Sequence, residues 1–264
     1  MLSIYLYSIP PAEYTVTFID VGQGDSAVVS GSGANILIDA GPYKDARNVK
    51  ITLDRLNIKE LDLVVVSHLD SDHISGMRDI INNYKVKKII TGETSKRYLP
   101  NSSSFSEFMT AVDIKNIPLT MVRAGDKLKV KSVDINVFSP SKEYGDSNED
   151  SAVLMFECGQ KKLLFTGDIS TKVEDNISQK VDLKADILKI AHHGSYYSSS
   201  EEFLNKVKPS FAVASVSEYN TFNHPNVEVF NRLRDMDCEV FRTDESGNVT
   251  FFINGGDIRC EVEK

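Results

Sequence analysis

The run His68-Leu69-Asp70-Ser71-Asp72-His73 places two imidazoles and two carboxylates within six residues, directly after the apolar run Leu61 to Val66. A short, continuous apolar run of this kind is the signature of a strand buried on both faces. Side chains leaving a strand end alternate between its two sides, so His68 and Asp70 share one side and are placed to hold one metal ion. Asp72 and His73, at the turn into a helix, face a second position. Two aspartates this close repel each other unless a cation lies between them. The competing reading makes Asp72 a helix N-cap with solvated neighbours.

Two further stretches end in the same way. Lys162 to Phe165 reads as a strand followed by Thr166-Gly167-Asp168, and Ile187 to Ala191 as a strand followed by His192-His193-Gly194-Ser195. A strand ending in two histidines has no packing rationale, whereas a carboxylate beside a glycine at a strand tip is, taken alone, more often a turn residue than a ligand.

Around these points the chain alternates short strands and helices. Strands are expected at Tyr14 to Asp20, Ser26 to Ser30, Asn35 to Asp39, Val86 to Thr91, Lys127 to Val130, Val133 to Phe138, Ala152 to Glu157 and Phe211 to Val216, with closing strands at Glu239 to Arg242, Val249 to Ile253 and Ile258 to Val262. Helices are expected at Ala46 to Asn57, Ile74 to Tyr84, Thr171 to Gln179, Glu201 to Val207 and Asn226 to Met236. The polar stretch Glu93 to Asn116 reads as a surface insertion carrying a helix near Phe105 to Val112. Two αβ half-units packed sheet on sheet, with helices outside, satisfy the layer rules for one core. The expectation is one domain over residues 1–264 with its core at about 14–255.

Charge and cysteine usage narrow the function. Thirty Lys plus Arg against 38 Asp plus Glu leave −8, which argues against a wide basic face for nucleic acid. Cys158, Cys238 and Cys260 are odd in number and far apart, so they read as free thiols of a reducing compartment rather than a disulfide framework. Met1 to Ile9 is too short to span a bilayer and lacks the flanks of a secretory signal.

The segments FIDVGQGDS (Phe18 to Ser26), LIDAG (Leu37 to Gly41), SHLDSDHISG (Ser67 to Gly76), LLFTGDIS (Leu163 to Ser170) and LKIAHHGS (Leu188 to Ser195) together resemble the metallo-β-lactamase superfamily. Within it they are similar to the C-terminal metallo-β-lactamase-like domain of ComEC-type competence proteins, which act in DNA uptake. The motifs occur in order over about Tyr14 to Gly255. The resemblance implies an α/β fold, a four-layer αββα sandwich with the metal site at one edge of the sheets.

It also implies site residues. The superfamily's H-x-H-x-D-H motif falls on His68, Asp70, Asp72 and His73, with Asp70 where most members carry histidine and the ComEC-like branch carries aspartate. Asp168 matches the bridging carboxylate and His192 the last ligand histidine, with His193 as the competing choice. The remaining superfamily histidine has no counterpart, because there is none between His73 and His192; Asp150 and Ser151 stand in that region. Oxygen ligands in place of two histidines make Mn²⁺ as suitable as Zn²⁺, and the cofactor expectation is two divalent ions of either kind, one held weakly. His224, in Asn223-His224-Pro225, is expected to contact a scissile phosphate or protonate a leaving oxygen. Gln23 and Asp25 are expected to border the site, and Asp39 to support it through a hydrogen bond or a turn.

The activity implied is metal-dependent hydrolysis of DNA as a nuclease or phosphodiesterase, with Asp70 or Asp72 orienting a bridging water, and with His193 and His224 assisting. The alternatives are an ester, thioester or lactone hydrolase of the same superfamily, and a non-catalytic metal-stabilised module in DNA handling. Lys85, Lys87, Lys88, Lys96 and Arg97 form a basic cluster expected to steer a strand. A free-standing chain would be cytoplasmic; a domain of a membrane protein would be extracytoplasmic.

Overall fold

Every residue of the strand Leu63–Val66 is buried, but alternation divides them: Leu63 and Val65 enter one core, Val64 and Val66 another. That division organises the molecule. The computed structural model describes residues 12–264, and the apolar stretch Met1 to Ile9 lies outside the described residues.

An eight-stranded sheet runs in the order Asp257–Val262, Val249–Asn254, Tyr14–Phe18, Ala27–Gly31, Ala34–Ile38, Leu63–Val66, Ile89–Gly92, Leu119–Val122. A seven-stranded sheet runs Glu239–Arg242, Phe211–Ala214, Ile187–Lys189, Lys161–Phe165, Val153–Cys158, Val133–Ser139, Lys127–Val130. Their inner faces meet in a core that includes Phe18, Phe156, Phe165 and Phe251, with the Phe18 and Phe165 rings stacked at 5.6 Å. Outside the first sheet, the helices Ala46–Arg55, Met77–Asn83 and Ser103–Lys115 pack on Val28, Leu37, Val64 and Val66. Outside the second, Thr171–Ser178, Glu201–Val207 and Val227–Arg234 pack on Met155, Leu164, Leu188 and Ala212. The result is the four-layer αββα sandwich.

Local chemistry sets the helix starts. The side chains of Ser102, Ser170, Ser200 and Asn226 accept hydrogen bonds from the backbone N–H groups of Phe105, Lys172, Phe203 and Glu228, which have no partner inside the helix.

Two expectations need correction, and one strand was not among those expected. The helix expected over Ile74 to Tyr84 is two, Ser71–Ile74 and Met77–Asn83. The break falls where Gly76 packs against the chain after Ala34–Ile38: its N–H donates to Gly41 O (3.0 Å), and a Cβ there would lie 2.2 Å from Ala40 O. The helix Ser103–Lys115 is no appendage, since Phe108, Ala111 and Val112 are buried in the outer layer of the first sheet. Finally, Leu119–Val122 is an edge strand that sequence periodicity did not reveal, because only Val122 of its four residues is buried. Among the described residues no helix is long and apolar enough to cross a membrane, and the three cysteines are free thiols.

Candidate metal centre

Parallel strands from both sheets deliver their C-terminal ends to the same edge. Ala34–Ile38 and Leu63–Val66 pair in parallel in the first sheet, and Lys161–Phe165, Ile187–Lys189 and Phe211–Ala214 in the second. Asp39 follows the first of these strands, His68 the second, Asp168 the third, His192 and His193 the fourth, and Ser215 the fifth. Such strand ends are where α/β sheets place ligands. The chain has five histidines, and all of them converge here: ring centroids are 4.0 Å apart for His68 and His73, 5.6 Å for His73 and His193, 6.1 Å for His192 and His193, and 5.5 Å for His192 and His224.

The tightest group is Asp72, His73, Asp168 and His193, whose donor atoms all lie within 4.8 Å of one another. Asp168 Oδ2 is 3.4 Å from both His73 Nε2 and His193 Nε2, and Asp72 Oδ2 is 3.4 Å from His193 Nε2. A looser half stands beside it, with His68 Nε2 3.9 Å from the half-exposed Asp70 and His192 Nε2 3.9 Å from Asp168.

Whether this donor set suits a metal is decided by its unmatched atoms. His68 Nε2, His73 Nε2, His193 Nε2 and Asp168 Oδ1 are all buried without a hydrogen-bond partner. Four such orphans along one strand-end edge, imidazole nitrogens with a carboxylate oxygen, would be costly in a structural network and are what divalent cations take as ligands. The charge balance agrees. Burial alone would raise the Asp168 carboxyl, yet His193 and His73 hold it well below the usual range. Burial alone would lower His73 and His193, yet the carboxylates, Asp168 foremost, lift both well above the ordinary imidazole value. His68 goes down, through burial and then His73. The centre therefore demands positive charge, which protons or a cation can supply.

Each buried imidazole is oriented from behind. Nδ1 of His73 lies 3.0 Å from Asp39 Oδ2, and Asp39 in turn accepts from Ser67 N (2.8 Å) and Ser67 Oγ (2.7 Å). Nδ1 of His193 lies 2.9 Å from Ser215 O and 3.2 Å from Asp25 Oδ1, while the other Asp25 oxygen is 2.8 Å from Lys189 Nζ. These contacts fix ring orientation and leave Nε2 facing the centre. Asp25 is held below its usual range: burial works against this, and Lys189, His193 and His73 outweigh it. Lys189 is missing from the sequence expectations. Its one signal was a cation inside the otherwise apolar run Ile187 to Ala191.

Backbone geometry is spent at the same place. Asp39, His192 and His193 have φ of 55°, 50° and 53°, a region that disfavours side chains with a Cβ and clusters at functional sites. Gly24 lets the Phe18 to Ser26 turn approach: a Cβ there would sit 2.3 Å from Asp72 O.

The structure thus brings together His68, Asp70, Asp72, His73, Asp168, His192, His193 and His224, and it puts His193, rather than His192, in the compact group. His193 is buried, whereas the His192 side chain is 32% exposed. His224 sits at the rim with Nδ1 buried and unpartnered, its ring pushed down to about 4 by burial and by His192 and His193. Asp150 points elsewhere, accepting from Thr94 Oγ1 (3.0 Å) and Tyr144 N (2.9 Å), and Ser151 Oγ accepts from Asp168 N (3.2 Å). Of the basic cluster, two members lie away from the centre and are paired: Lys85 with Glu60 (2.6 Å), and Lys87 with Glu60 (2.5 Å) and Asp62 (2.6 Å), at the opposite end of the strand that leads to His68.

The profile described as Metallo-beta-lactamase superfamily matches residues 19–217, and the chain belongs to that family. Its relatives include competence proteins. The chain is 29% identical over 271 residues to ComE operon protein 3 of Bacillus subtilis (strain 168), covering 95% of this chain and 34% of that protein. It is 32% identical over 261 residues to Competence protein ComA of Neisseria gonorrhoeae, covering 96% and 34% respectively. The chain thus spans about a third of the length of both curated relatives. Among solved structures, CmlA, a diiron beta-hydroxylase from Streptomyces venezuelae, superposes with a TM-score of 0.62 at 11% identity, over 93% of this chain and 55% of that one.

Proposed function

We propose that this chain is a metal-dependent hydrolase that cleaves phosphodiester bonds in DNA. The observation that carries the reading is the convergence of every histidine of the chain, with Asp70, Asp72 and Asp168, on one strand-end edge where three Nε2 atoms and one carboxylate oxygen have no other partner. The resemblance to DNA-uptake proteins supports DNA as the substrate.

Asp72, His73, Asp168 and His193 would hold one ion, and His68 and Asp70, with Asp168 between the halves, a second. Mn²⁺ or Zn²⁺ bound there would supply Lewis-acid activation of water and charge neutralisation at a phosphoryl group. The chain's own contributions are positional. Asp39 and Asp25 keep His73 and His193 aimed inward. Asp70, half-exposed at the mouth, is placed to accept a proton from water on its carboxylate. His224, on the rim beside His192, is placed to contact the phosphate.

The test is incubation of metal-stripped protein with single- and double-stranded DNA plus Mn²⁺, Zn²⁺ or Mg²⁺, beside His73→Ala and Asp168→Ala. Metal-dependent cleavage that both substitutions abolish is the expected result. Stoichiometric metal binding without cleavage of either polymer would overturn the DNA reading in favour of a small ester.

A further inference from the structure

Large hydrophobic side chains exposed on a soluble protein are ordinarily scattered, but four of the aromatic ones here gather on two loops that flank the metal centre. Tyr196 and Tyr197 are 51% and 74% exposed, and Tyr219 and Phe222 are 85% and 64% exposed. The first pair follows His193 by three and four residues, and Phe222 precedes His224 by two. The Phe222 ring stacks on the His224 ring at 5.7 Å and 27°, and the His224 ring meets His192 edge to face at 5.5 Å.

These loops are pinned, so the exposure is built in. Asn220 Oδ1 accepts from Phe222 N (3.1 Å) and His224 N (3.0 Å), and Asn220 Nδ2 donates to His224 O (2.6 Å) and Ser217 O (3.0 Å). Gln23, on the turn that touches the centre, accepts from Ser217 N (3.3 Å). On the other loop, Thr171 N donates to Tyr197 O (2.9 Å), Glu174 accepts from Ser199 N and Ser200 N, and Arg232 donates to Ser199 O (3.0 Å). The two loops join where Asn226 N donates to Gly194 O (2.8 Å). Arg232 also lies 5.9 Å from the Tyr196 ring centre, so a cation stands among the aromatics.

We propose that Tyr196, Tyr197, Tyr219 and Phe222 form a stacking collar that holds the unpaired bases of a single nucleic-acid strand beside the metal centre. The inference rests on the phosphodiesterase reading and names the form of its substrate. Three observations favour bases over a protein partner. The four side chains are all aromatic, with flat faces suited to sequence-tolerant stacking. They adjoin the centre itself, and a protein seated on them would close its mouth. The chain carries a net charge of −8, and of its expected basic cluster Lys85 and Lys87 are paired with Glu60 and Asp62, so no wide basic surface supplies the affinity and base contact has to contribute to it. In a duplex those base faces are buried against each other, and the collar has nothing to stack on.

The experiment measures anisotropy of a labelled, cleavage-resistant phosphorothioate oligonucleotide, single-stranded or as its duplex, with Mn²⁺-loaded protein. The single strand is expected to bind more tightly, and Tyr197→Ala and Phe222→Ala each to weaken it by about 5- to 100-fold. Phe222→Tyr should restore binding, and Ile114→Ala, exposed on Ser103–Lys115 away from the collar, should bind as the unaltered chain does. Equal binding of both polymer forms, or alanine variants that bind the single strand normally, overturns the collar. Hydrolysis of bis(p-nitrophenyl) phosphate by the unaltered chain is measured in parallel. Binding through the collar without that hydrolysis sinks the phosphodiesterase reading alone, and hydrolysis without collar-dependent binding sinks the collar alone.

Discussion

Lys189 is the residue that ties burial to the centre's geometry. It is 3% exposed, its ammonium donates to Ile190 O (2.9 Å) and pairs with Asp25 (2.8 Å), and Asp25 reaches the back of His193. Removing one partner of a buried ion pair leaves an uncompensated charge and costs about 3–5 kcal/mol. Lys189→Met should therefore lower the melting temperature by on the order of 10 °C, and adding Asp25→Asn should recover a good part of the loss. Thermal scans of the unaltered chain and the two variants decide it, and an unchanged Lys189→Met midpoint would show the pair to be stability-neutral. A second buried group acts through pH. Burial pushes Glu174 up to about 7 from 4.5, against the N–H groups of Ser199 and Ser200 that favour its carboxylate. Between those two pH values the folded chain keeps a proton that the unfolded chain releases, so its contribution is fully present below 4.5 and lost as pH rises through about 7. The loss amounts to at most ~3 kcal/mol. Glu174→Gln should flatten the fall in stability between pH 5 and 8 seen by urea unfolding, and an unaltered slope would assign that fall to other groups.

At the scale of elements, the parts legible in the sequence were those whose signal is local. The His68 to His73 array, Asp168 and the His192-His193 pair could be read because each follows an apolar run, and a ligand at a strand tip announces itself by that adjacency. Choosing His193 over His192 could not be done that way, since it depends on consecutive left-handed residues (φ 50° and 53°) that turn one ring in and leave the other at the rim. Asp25 and Lys189 meet through pairing of distant segments, and the edge strand Leu119–Val122 offers almost no buried face to read. The break at Gly76 is likewise tertiary, a backbone contact with Ala40 that a helical pattern does not reveal. The same kind of contact yields a prediction for the Phe18 to Ser26 turn. Gly24 has φ 147°, and a Cβ would meet Asp72 O at 2.3 Å and Pro42 Cδ at 2.8 Å. Backbone cannot yield as a side-chain tip does, so Gly24→Ala should push the turn and the Asp72 loop apart. We expect a loss of ~2–4 kcal/mol together with weakened Mn²⁺ binding by titration calorimetry. Full metal affinity in that variant would mean the turn does not position Asp72.

For the whole molecule, the question is how far the fold depends on the ion it is built to hold. The hydrophobic clusters lie between the sheets and under the two helix layers, whereas His68, Asp168 and His193 stand just past the ends of the strands. The sandwich should then fold without metal, unlike small domains whose core is the metal site. A metal held at this centre would bind the folded state alone, because Asp39, Ser67, His73 and Asp168 come together only there. An ion present at a hundredfold excess over its dissociation constant adds ~2.7 kcal/mol, which in a chain of this size raises the melting temperature by ~5–10 °C. Chelation is accordingly expected to lower the midpoint by that amount while leaving far-ultraviolet circular dichroism at 25 °C unchanged, and His73→Ala should remove the metal-dependent increment. Unfolding at 25 °C on chelation would make the ion part of the core, and a midpoint indifferent to both chelator and Mn²⁺ would mean the orphaned imidazole nitrogens serve something other than a metal. The two outcomes pull apart because the centre sits at the edge of the sheets: it can lose its ion without opening either hydrophobic layer, whereas neither layer can open without scattering the centre's ligands.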